Sequence, residues 1–369
     1  MGLVLGTQVN EQTRPATLPV IHLISSGGFY GAERMLLDHC LGTPGRHQVV
    51  FLDAPSALIE RFRQAGVDSL ACLNLSALLR HVRQRRDERP LINTHNFKGM
   101  LFGWVAATLF NLPLVTTQHG FTPRSRKQQL YTWVSLQLCR FPQVRQVVCV
   151  ADSIERIHCA AGVRPDKLQV IPNGLPEAAP ITASAPGSGP LIGYVGRLSS
   201  EKGPDLFLDA VIPLLQRHPV WHAVFLGEGD ERGTLQARID SAGLAARIQL
   251  PGYQQDMRAW LGRLSALVIS SRTEGTPMIL LEAMQAGTPV AAFAVGGVPD
   301  MLSHDHDGLL AAPGDCASLA TQIERLVCEP GLASRLSTQG RLTQLGRYHL
   351  PVLAERWGQL YHRARGLAG

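Results

Sequence analysis

Short runs of aliphatic and β-branched residues alternate along the chain with longer segments of helical periodicity. This alternation is typical of a parallel sheet with crossover helices. The first half of the chain predicts seven strands: Pro19–Ile24, Gln48–Leu52, Ser69–Leu73, Leu91–Thr94, Leu114–Thr117, Val147–Val150 and Leu168–Ile171. The pattern then restarts and predicts six more: Leu191–Val195, His222–Leu226, Ile248–Leu250, Ala266–Ile269, Val290–Phe293 and Gly308–Ala311.

The stretch between the two sets of strands has the composition of a linker. Residues 179–190 consist of Ala, Pro, Ser, Thr, Gly and one Ile, without any charged side chain. Such a segment rarely forms regular structure. We therefore predict two doubly wound α/β domains, residues 1–178 and 191–349. Residues 350–369 follow an amphipathic pattern, which predicts a final helix that packs back on the first domain or caps the second.

The overall composition describes a folded protein of two domains. The chain has 369 residues, 45% of them hydrophobic and 17% charged. No apolar run approaches the ~20 residues that span a bilayer, and the first 19 residues lack the basic leader and apolar core of a signal peptide. Seven scattered cysteines without a C-x-x-C pair favour reduced thiols and argue against a zinc site. We expect a cytoplasmic protein without a metal cofactor.

The net charge of +6 is unevenly distributed along the chain. Residues 89–151 contain no Asp or Glu, yet they contain seven cations: Arg89, Lys98, Arg124, Arg126, Lys127, Arg140 and Arg145. Such a segment suits an anionic partner, for example a phospholipid surface or a diphosphate-linked acceptor, although a solvated basic face explains it equally well. No reading helix, zinc finger or aromatic-basic platform accompanies the charge, so nucleic acid is not expected.

Glycine-rich turns follow the first strand of each half. Gly27-Gly28 leads into a helix whose N-terminus can face an anion, but the turn lacks the dinucleotide fingerprint and could simply tighten the connection. In the second half, Gly196-Arg197 is followed by Lys202. Arg197 and Lys202 would lie at the carboxyl end of a strand, where ligands bind in open α/β sheets. They either neutralise a diphosphate or merely flank a turn.

Two glutamates accompany a helix predicted over 278–286. Glu274 precedes this helix, and Glu282 lies within it among apolar residues, where a carboxylate is costly without a partner. Both could bind hydroxyl groups, with the backbone of Gly275, Thr276, Pro277 and Met278 lining a phosphate or sugar site. The alternatives are a helix cap for Glu274 and a structural ion pair for Glu282.

Two histidines follow strands of the first half. His95-Asn96, with Lys98 nearby, and His119-Gly120 are placed where they would face a ligand, although a single strand-end histidine is more often structural. Asp305-His306-Asp307 matches the D-x-D pattern that chelates metals in some sugar transferases. It lies in a polar turn far along the chain from the phosphate motifs, so we assign it no metal role.

Taken in order, these motifs resemble the retaining glycosyltransferases of family 4. The resemblance is dense over residues 191–326, where it rests on Gly196-Arg197, Lys202-Gly203, the E-x7-E pair and Gly296-Gly297. It continues more loosely through the first half in Gly27-Gly28, His95-Asn96 and His119-Gly120. Asp300 stands where the family usually has glutamate, which leaves the identity of the donor open.

The resemblance implies the GT-B fold, with two Rossmann-like domains facing each other across a cleft, and metal-independent transfer of a sugar with retention of configuration. It implies that Arg197 and Lys202 bind the donor diphosphate and stabilise the leaving nucleotide. Glu282 would hold the ribose and Glu274 the sugar, with the amides of residues 275–278 nearby. Gly28 and Gly196 would let the backbone approach the donor, and His119 would lie beside the reacting sugar.

The implied substrates are a UDP- or GDP-linked hexose and a glycan or lipid-linked acceptor, met on the acceptor side by His95, Asn96 and Lys98. Relatives build surface polysaccharides, lipopolysaccharide and glycolipids, so peripheral contact with an anionic inner membrane is expected. Two alternatives remain at this stage. A nucleotide-sugar epimerase of the same fold would convert the donor sugar without an acceptor, and a catalytically silent binding subunit would tolerate Lys202→Ala and Glu282→Ala.

Overall fold

The computed structural model describes residues 18–29, 31–120, 126–178 and 189–366. The predicted linker residues 179–188, Arg124 and the first 17 residues lie outside these ranges. Each half of the chain forms a parallel sheet flanked by helices, which confirms the predicted α/β fold. The two sheets contain the strands predicted from the apolar runs, with small shifts at their ends.

The first sheet has seven parallel strands in the order β3-β2-β1-β4-β5-β6-β7. Its strands are β1 Pro19–Ser25, β2 Arg46–Asp53, β3 Asp68–Ala71, β4 Leu91–Thr94, β5 Leu114–Gln118, β6 Val144–Cys149 and β7 Leu168–Val170. The second sheet has six, in the order β10-β9-β8-β11-β12-β13. These are β8 Leu191–Val195, β9 His222–Leu226, β10 Ile248–Gly252, β11 Ala266–Ile269, β12 Val290–Phe293 and β13 Leu309–Ala311.

Helices connect successive strands in both domains, as parallel pairing requires. In the first domain they are α1 Gly31–Gly42, α2 Ser56–Gln64, α3 Leu75–Arg85, α4 Phe97–Phe110, α5 Arg126–Arg140 and α6 Asp152–Ala160. In the second they are α7 Pro204–Arg217, α8 Arg232–Ser241, α9 Met257–Leu261, α10 Met278–Ala286, α11 Val298–Met301, α12 Cys316–Cys328 and α13 Leu332–Arg347. The central strands, among them β4, β11 and β12, are buried on both faces, so they read as continuous apolar runs.

The final helix, α14 Leu350–Arg365, returns to the first domain. Its apolar side chains, among them Trp357 and Leu360, join a buried cluster with Val20, Leu91 and other residues of the first sheet. The chain therefore crosses between the domains twice, and this second crossing is fixed by packing of α14. None of the helices in the described ranges combines the length and apolarity needed to cross a bilayer.

Candidate active site

The loops that carry the sequence motifs meet at the points where the strand order of each sheet reverses. The reversals fall between β1 and β4 and between β8 and β11. Ligands of open α/β sheets bind outside the carboxyl ends of strands at such a point. In the first sheet these ends carry Gly27-Gly28 and His95-Asn96. In the second they carry Gly196-Arg197 and Ser270-Ser271.

Lys202 and Glu274 form an ion pair beside the reversal point of the second sheet. Lys202 Nζ donates to the two carboxylate oxygens of Glu274 at 2.7 and 2.8 Å. Ser271 Oγ donates to the same carboxylate at 2.6 Å. The Glu274 side chain is 7% exposed and that of Lys202 is 29% exposed. The carboxylate is therefore enclosed, whereas the ammonium group still reaches solvent.

The position of Lys202 depends on the glycine that follows it. Gly203 has a φ of +61°, a left-handed conformation, and directly precedes Pro204 at the start of α7. A Cβ at this position would collide with the carbonyl oxygen of Ser270, so the close approach of the two loops needs glycine. Ser270 Oγ also donates to Gly203 O at 2.7 Å. The loops after β8 and β11 are thus joined directly behind the ion pair.

Arg272 is a structural residue of the site that the sequence analysis missed. Its guanidinium donates to both carboxylate oxygens of Asp205, at 2.8 and 2.6 Å, and to Ser200 O at 2.7 Å. The hydrogen bond from Arg272 lowers the pKa of Asp205. This bidentate contact ties the loop of Glu274 to the start of α7. Its two residues are 67 positions apart, so no local pattern signals it.

Arg197, the second cation predicted for the donor, is the more exposed of the two. Its side chain is 57% exposed, and Nη2 lies 3.8 Å from Glu201 Oε1. The Glu201 side chain is only 9% exposed. Arg197 therefore extends from the carboxyl end of β8 toward solvent, with a long ion pair at its base. Gly196, just before it, lies so close to Gly227 that a side chain at 227 would collide with Gly196 O.

The segment from Gly275 to Met278 is where the second domain meets the first. A Cβ at Gly275 would collide with the carbonyl oxygen of His119. Thr276 Oγ1 donates to Val150 O at 3.0 Å, and Met278 packs against Gly31 at the start of α1. The side chains of Thr276 and Met278, whose backbone is predicted to line the donor site, therefore contact the first domain. The predicted neighbours Glu274 and His119 are brought to the same junction.

A second contact between the domains surrounds Asp300. Asp300 Oδ2 accepts a hydrogen bond from the amide of Ser153 at 3.1 Å, at the N-terminal end of α6. Arg156 Nη2 lies 3.7 Å from the other carboxylate oxygen. A carboxylate at a helix N-terminus interacts favourably with the helix dipole. Gln285, near the C-terminal end of α10, donates a hydrogen bond of 2.8 Å to Pro176 O, close to the end of the first domain. With Met278 packed against Gly31, both ends of α10 therefore contact the first domain.

Glu282 is half-buried on α10 and shares its surroundings with charged residues of α1. Arg34 and Asp38 form an ion pair of 3.2 Å on α1. Burial raises the pKa of Glu282, the nearby Arg34 guanidinium partly lowers it, and Asp38 raises it further. Burial also raises the pKa of Asp38. Two carboxyl groups thus compete for one arginine, and a hydroxyl donor placed here would relieve the desolvation of Glu282.

The residues predicted for the acceptor side have partners within the first domain. Asn96 caps α4 by accepting a hydrogen bond from Gly99 N at 3.0 Å, and its amide donates to Ser25 O at 2.6 Å. Lys98 Nζ donates to Leu52 O at 3.2 Å. Gly28, which was predicted for the donor instead, donates from its amide N–H to Ser26 Oγ at 3.2 Å. These contacts order the loops after β1 and β4.

His95 and His119 belong to a chain of four histidines, half of which the sequence analysis missed. His119 Nε2 lies 3.3 Å from His95 Nδ1, His95 Nε2 lies 2.9 Å from His22 Nδ1, and His22 Nε2 lies 2.9 Å from His47 Nδ1. Burial lowers the pKa of all four rings, to about 4 for His47 and His119. His22 and His47 lie on the neighbouring strands β1 and β2. A histidine on each of two successive strands was the sequence signal for their contact.

The same cluster contains a set of atoms of the kind that bind transition metals. Ligand atoms of His22, Cys40 and His47 all lie within 4.8 Å of one another. The scattered cysteines gave no hint of this grouping in the sequence. The facing nitrogens of His22 and His47 are 2.9 Å apart, a hydrogen-bond distance.

The D-x-D pattern has structural contacts instead. Asp307 is buried; its carboxylate accepts hydrogen bonds from Ser303 N at 2.7 Å and Thr343 Oγ1 at 2.9 Å. Asp305 accepts from Arg325 Nη2 at 3.1 Å. Both carboxylates thus stabilise the turn before β13.

Two sequence families match consecutive parts of the chain. The family described as "Glycosyltransferase Family 4" matches residues 30–178, and "Glycosyl transferases group 1" matches residues 181–343. The two doubly wound domains and the matches to these two families identify a GT-B glycosyltransferase. The chain belongs to the family 4 type of these enzymes, which confirms the resemblance found in its motifs.

Individual relatives agree with this assignment. The chain is 29% identical to 2-deoxystreptamine glucosyltransferase of Streptomyces kanamyceticus, over 77% of each protein. It is 29% identical to the lipopolysaccharide core biosynthesis glycosyltransferase LpsE of Rhizobium meliloti, over 47% of this chain and 50% of LpsE. The crystal structure of Anabaena HepE in complex with UDP is similar in fold, with a TM-score of 0.83 and 20% identity over 94% of this chain and all of HepE.

Proposed function

We propose that this glycosyltransferase moves a hexose from a UDP- or GDP-linked donor to a glycan or lipid-linked acceptor, with retention of configuration. The observation that carries the proposal is the Lys202–Glu274 pair, which lies at the reversal point of the second sheet and against the His119 loop of the first. A partly exposed ammonium at the carboxyl end of a sheet suits a diphosphate. The HepE complex with UDP and the glucosyltransferase relative support a nucleotide sugar as its ligand.

The donor would lie along the second domain. Lys202 and Arg197 neutralise the diphosphate, and Glu282 accepts hydrogen bonds from the ribose hydroxyls. Glu274 contacts the sugar once Lys202 shifts from its carboxylate toward the phosphates. Cations would thus match the central diphosphate, and carboxylates would match the hydroxyl groups of the ribose and the sugar. Glu274 is positioned by the hydrogen bond from Ser271.

The reaction needs one bond exchange. The bond between the anomeric carbon and the diphosphate oxygen breaks, a bond between that carbon and the acceptor hydroxyl oxygen forms on the same face, and the hydroxyl proton passes to the released diphosphate. Lys202 and Arg197 stabilise the negative charge that develops on this diphosphate. We propose that these two cations do so without a metal ion, and that His119 contacts the reacting sugar.

An exposed face of the first domain suits an anionic membrane carrying a lipid-linked acceptor. Helices α4 and α5 lie side by side, joined by the stacked rings of Phe97 and Tyr131, whose centroids are 4.2 Å apart. This α4–α5 surface exposes large apolar side chains next to Arg126 and Lys127, both exposed: Leu101, Leu109, Leu130 and Trp133. Apolar residues flanked by cations are typical of interfacial helices.

A donor screen tests the proposal. Thermal unfolding is measured with saturating UDP, GDP and their sugar conjugates, because a ligand that binds only the folded state stabilises it by about 2.7 kcal/mol at a hundredfold excess over its Kd. We expect one nucleotide series to raise the Tm. The product formed from that donor and an acceptor should keep the anomeric configuration of the donor, in the presence of EDTA as well. Inversion, or full loss of activity with EDTA, would contradict the proposed chemistry.

Vesicle sedimentation tests the membrane contact. We expect binding to phosphatidylglycerol vesicles that weakens at high salt, and little binding to phosphatidylcholine. Trp133→Ser should reduce binding, whereas Leu342→Ser, an equally exposed apolar residue on α13 of the second domain, should not. Equal binding of all three proteins, or binding that does not depend on salt, would refute this part of the proposal.

A further inference from the structure

The four-histidine chain in the first domain has a direction that can be read from its hydrogen bonds. Burial keeps the rings of His22, His47, His95 and His119 neutral at neutral pH. A neutral imidazole has one N–H and one nitrogen lone pair. When one nitrogen of a ring donates, the other must accept. The donor at one end of such a chain therefore fixes the donor at every following contact.

The end of the chain farthest from the cleft is anchored by backbone. His47 Nε2 lies 3.2 Å from the carbonyl oxygen of Thr43 and 3.1 Å from its hydroxyl. The hydroxyl hydrogen is already used in a 2.6 Å bond to His39 O. A carbonyl oxygen can only accept, so His47 carries its hydrogen on Nε2 and has a lone pair on Nδ1.

The direction then passes from ring to ring. His22 must donate from Nε2 to His47 Nδ1, and it accepts at Nδ1. His95 must donate from Nε2 to His22, and it accepts at Nδ1. His119 therefore donates from Nε2 to His95. Every hydrogen points away from the domain junction, and the lone pair of His119 lies on Nδ1.

We propose that His95, His22 and His47 are positioning residues that hold His119 as the Nε2–H tautomer, with Nδ1 as a hydrogen-bond acceptor for a substrate hydroxyl. The proposal rests on the proposed function, because it assigns a substrate group to His119. It predicts selectivity as well: a neutral acceptor nitrogen favours a sugar hydroxyl and disfavours a phosphate or carboxylate oxygen at this place. The carbonyl of His119 lies against Gly275, so the backbone of His119 adjoins the loop that carries Glu274.

A metal ion at His22, Cys40 and His47 would require a different arrangement. A metal ion bound by the facing nitrogens of His22 and His47 would need a lone pair on both of them. The anchor at Thr43 accounts for one hydrogen between them instead, and burial raises the pKa of Cys40, which disfavours the thiolate a metal needs. The hydrogen-bonded chain therefore explains the geometry without an ion.

Nitrogen NMR of the ¹⁵N-histidine-labelled full-length protein tests the proposal directly. Long-range ¹H–¹⁵N spectra distinguish a protonated from an unprotonated ring nitrogen, and single substitutions assign the signals. We expect unprotonated Nδ1 and protonated Nε2 for all four rings, while the exposed His306 serves as a reference for a solvent-accessible ring. A hydrogen on Nδ1 of His119 would overturn the proposal, whether or not the protein transfers sugar.

Two substitutions at the middle of the chain separate positioning from mere packing. The amide of His22→Gln can accept from His95 and donate to His47, whereas His22→Leu fills space without either bond. We expect His22→Leu to give His119 a mixture of tautomers and to lower kcat about tenfold, with a smaller change in KM for the donor. His22→Gln should restore the tautomer and most of the lost kcat.

Three results would overturn the proposal. Retention of the pure tautomer in His22→Leu would show that the chain does not orient His119. Equal loss of kcat in His22→Gln and His22→Leu, with the tautomer kept in the former, would indicate proton transfer along the rings. Stoichiometric zinc in the purified protein, lost in Cys40→Ser, would identify a metal site. If His22→Leu does not fold, the spectrum of the wild type decides alone.

Discussion

Lys202 and Glu274 are 72 residues apart in the chain, yet the lysine Nζ lies within 2.8 Å of both carboxylate oxygens of the glutamate. The glutamate is the more deeply enclosed partner. The lysine ammonium reaches solvent, whereas the carboxylate also accepts a hydrogen bond from Ser271. In the proposed function, the pair would join the binding sites of the leaving diphosphate and of the transferred sugar.

A double-mutant cycle measures the strength of this pair. Lys202→Met and Glu274→Gln should each lower the free energy of unfolding, and their effects should be non-additive by about 1–3 kcal/mol, because each partner satisfies the other in a partly desolvated place. Urea unfolding of the two single variants and the double variant gives the coupling. The exposed pair Arg164–Asp166 is the control, with an expected coupling below about 0.5 kcal/mol. Equal coupling at both pairs would contradict the enclosure of Glu274.

Glu282→Gln should affect stability and nucleotide binding in opposite directions. The pKa of Glu282 is raised above 4.5 by burial, so its stabilising contribution is present below that pH and is lost as the pH rises through the folded pKa. The glutamine variant should therefore equal the wild type near pH 4 and exceed its unfolding free energy at pH 8. Nucleotide affinity should fall about tenfold, since ribose loses a charged acceptor. Unchanged nucleotide affinity would show that Glu282 does not bind the donor.

Acid should unfold the protein partly through the histidine chain. Burial lowers the pKa of His47 from 6.5 to about 4, so the neutral ring stabilises the fold above pH 6.5, and this contribution is lost as the pH falls toward 4. One such ring contributes a slope of up to about 1.4 kcal/mol per pH unit in that window. Urea unfolding at several pH values should show a shallower slope for His47→Gln. An identical slope would mean that His47 is protonated in the folded protein.

The close approach of the two domains at His119 requires a glycine at position 275. Gly275→Ala places a methyl group against the carbonyl oxygen of His119, so the domains must separate or the loop must move. We expect kcat to fall by at least tenfold, as small displacements at a reacting centre cost much. Gly233→Ala on α8, where a Cβ meets no neighbour within 4 Å, is the control and should retain full activity. Full activity in both variants would show that the contact between Gly275 and His119 is not needed for catalysis.

The apolar runs predicted most of the fold because turn residues bound each run and the central strands bury both of their faces. Leu191–Val195 and Met278–Ala286 occur with the predicted bounds. The third strand was shifted: β3 ends at Ala71, whereas the pattern continued to Leu73, which is exposed. The alternation of strand and helix carries this information locally, so it needs no knowledge of distant contacts.

The contacts within the site could not be predicted, because they join residues that are far apart in the sequence. Motifs identified Lys202 and Glu274, but not the ion pair that joins them. Thr276 was predicted at the donor from its neighbours in sequence, but the bond from its hydroxyl to Val150 O of the other domain has no local signal. A histidine on a strand, such as His22, has no distinguishing neighbours in the sequence until the strand order brings His47 and His95 beside it.

Calorimetric titration with UDP and GDP tests the central claim, that Lys202 binds the donor diphosphate at the junction of the domains. We expect the wild type to bind one of the two nucleotides, and Arg341→Met, at an exposed cation on α13, to bind it equally. Lys202→Met should weaken that affinity about 10- to 100-fold, the loss expected for charge-assisted hydrogen bonds. Equal affinity in all three proteins, or no binding of either nucleotide, would contradict the account.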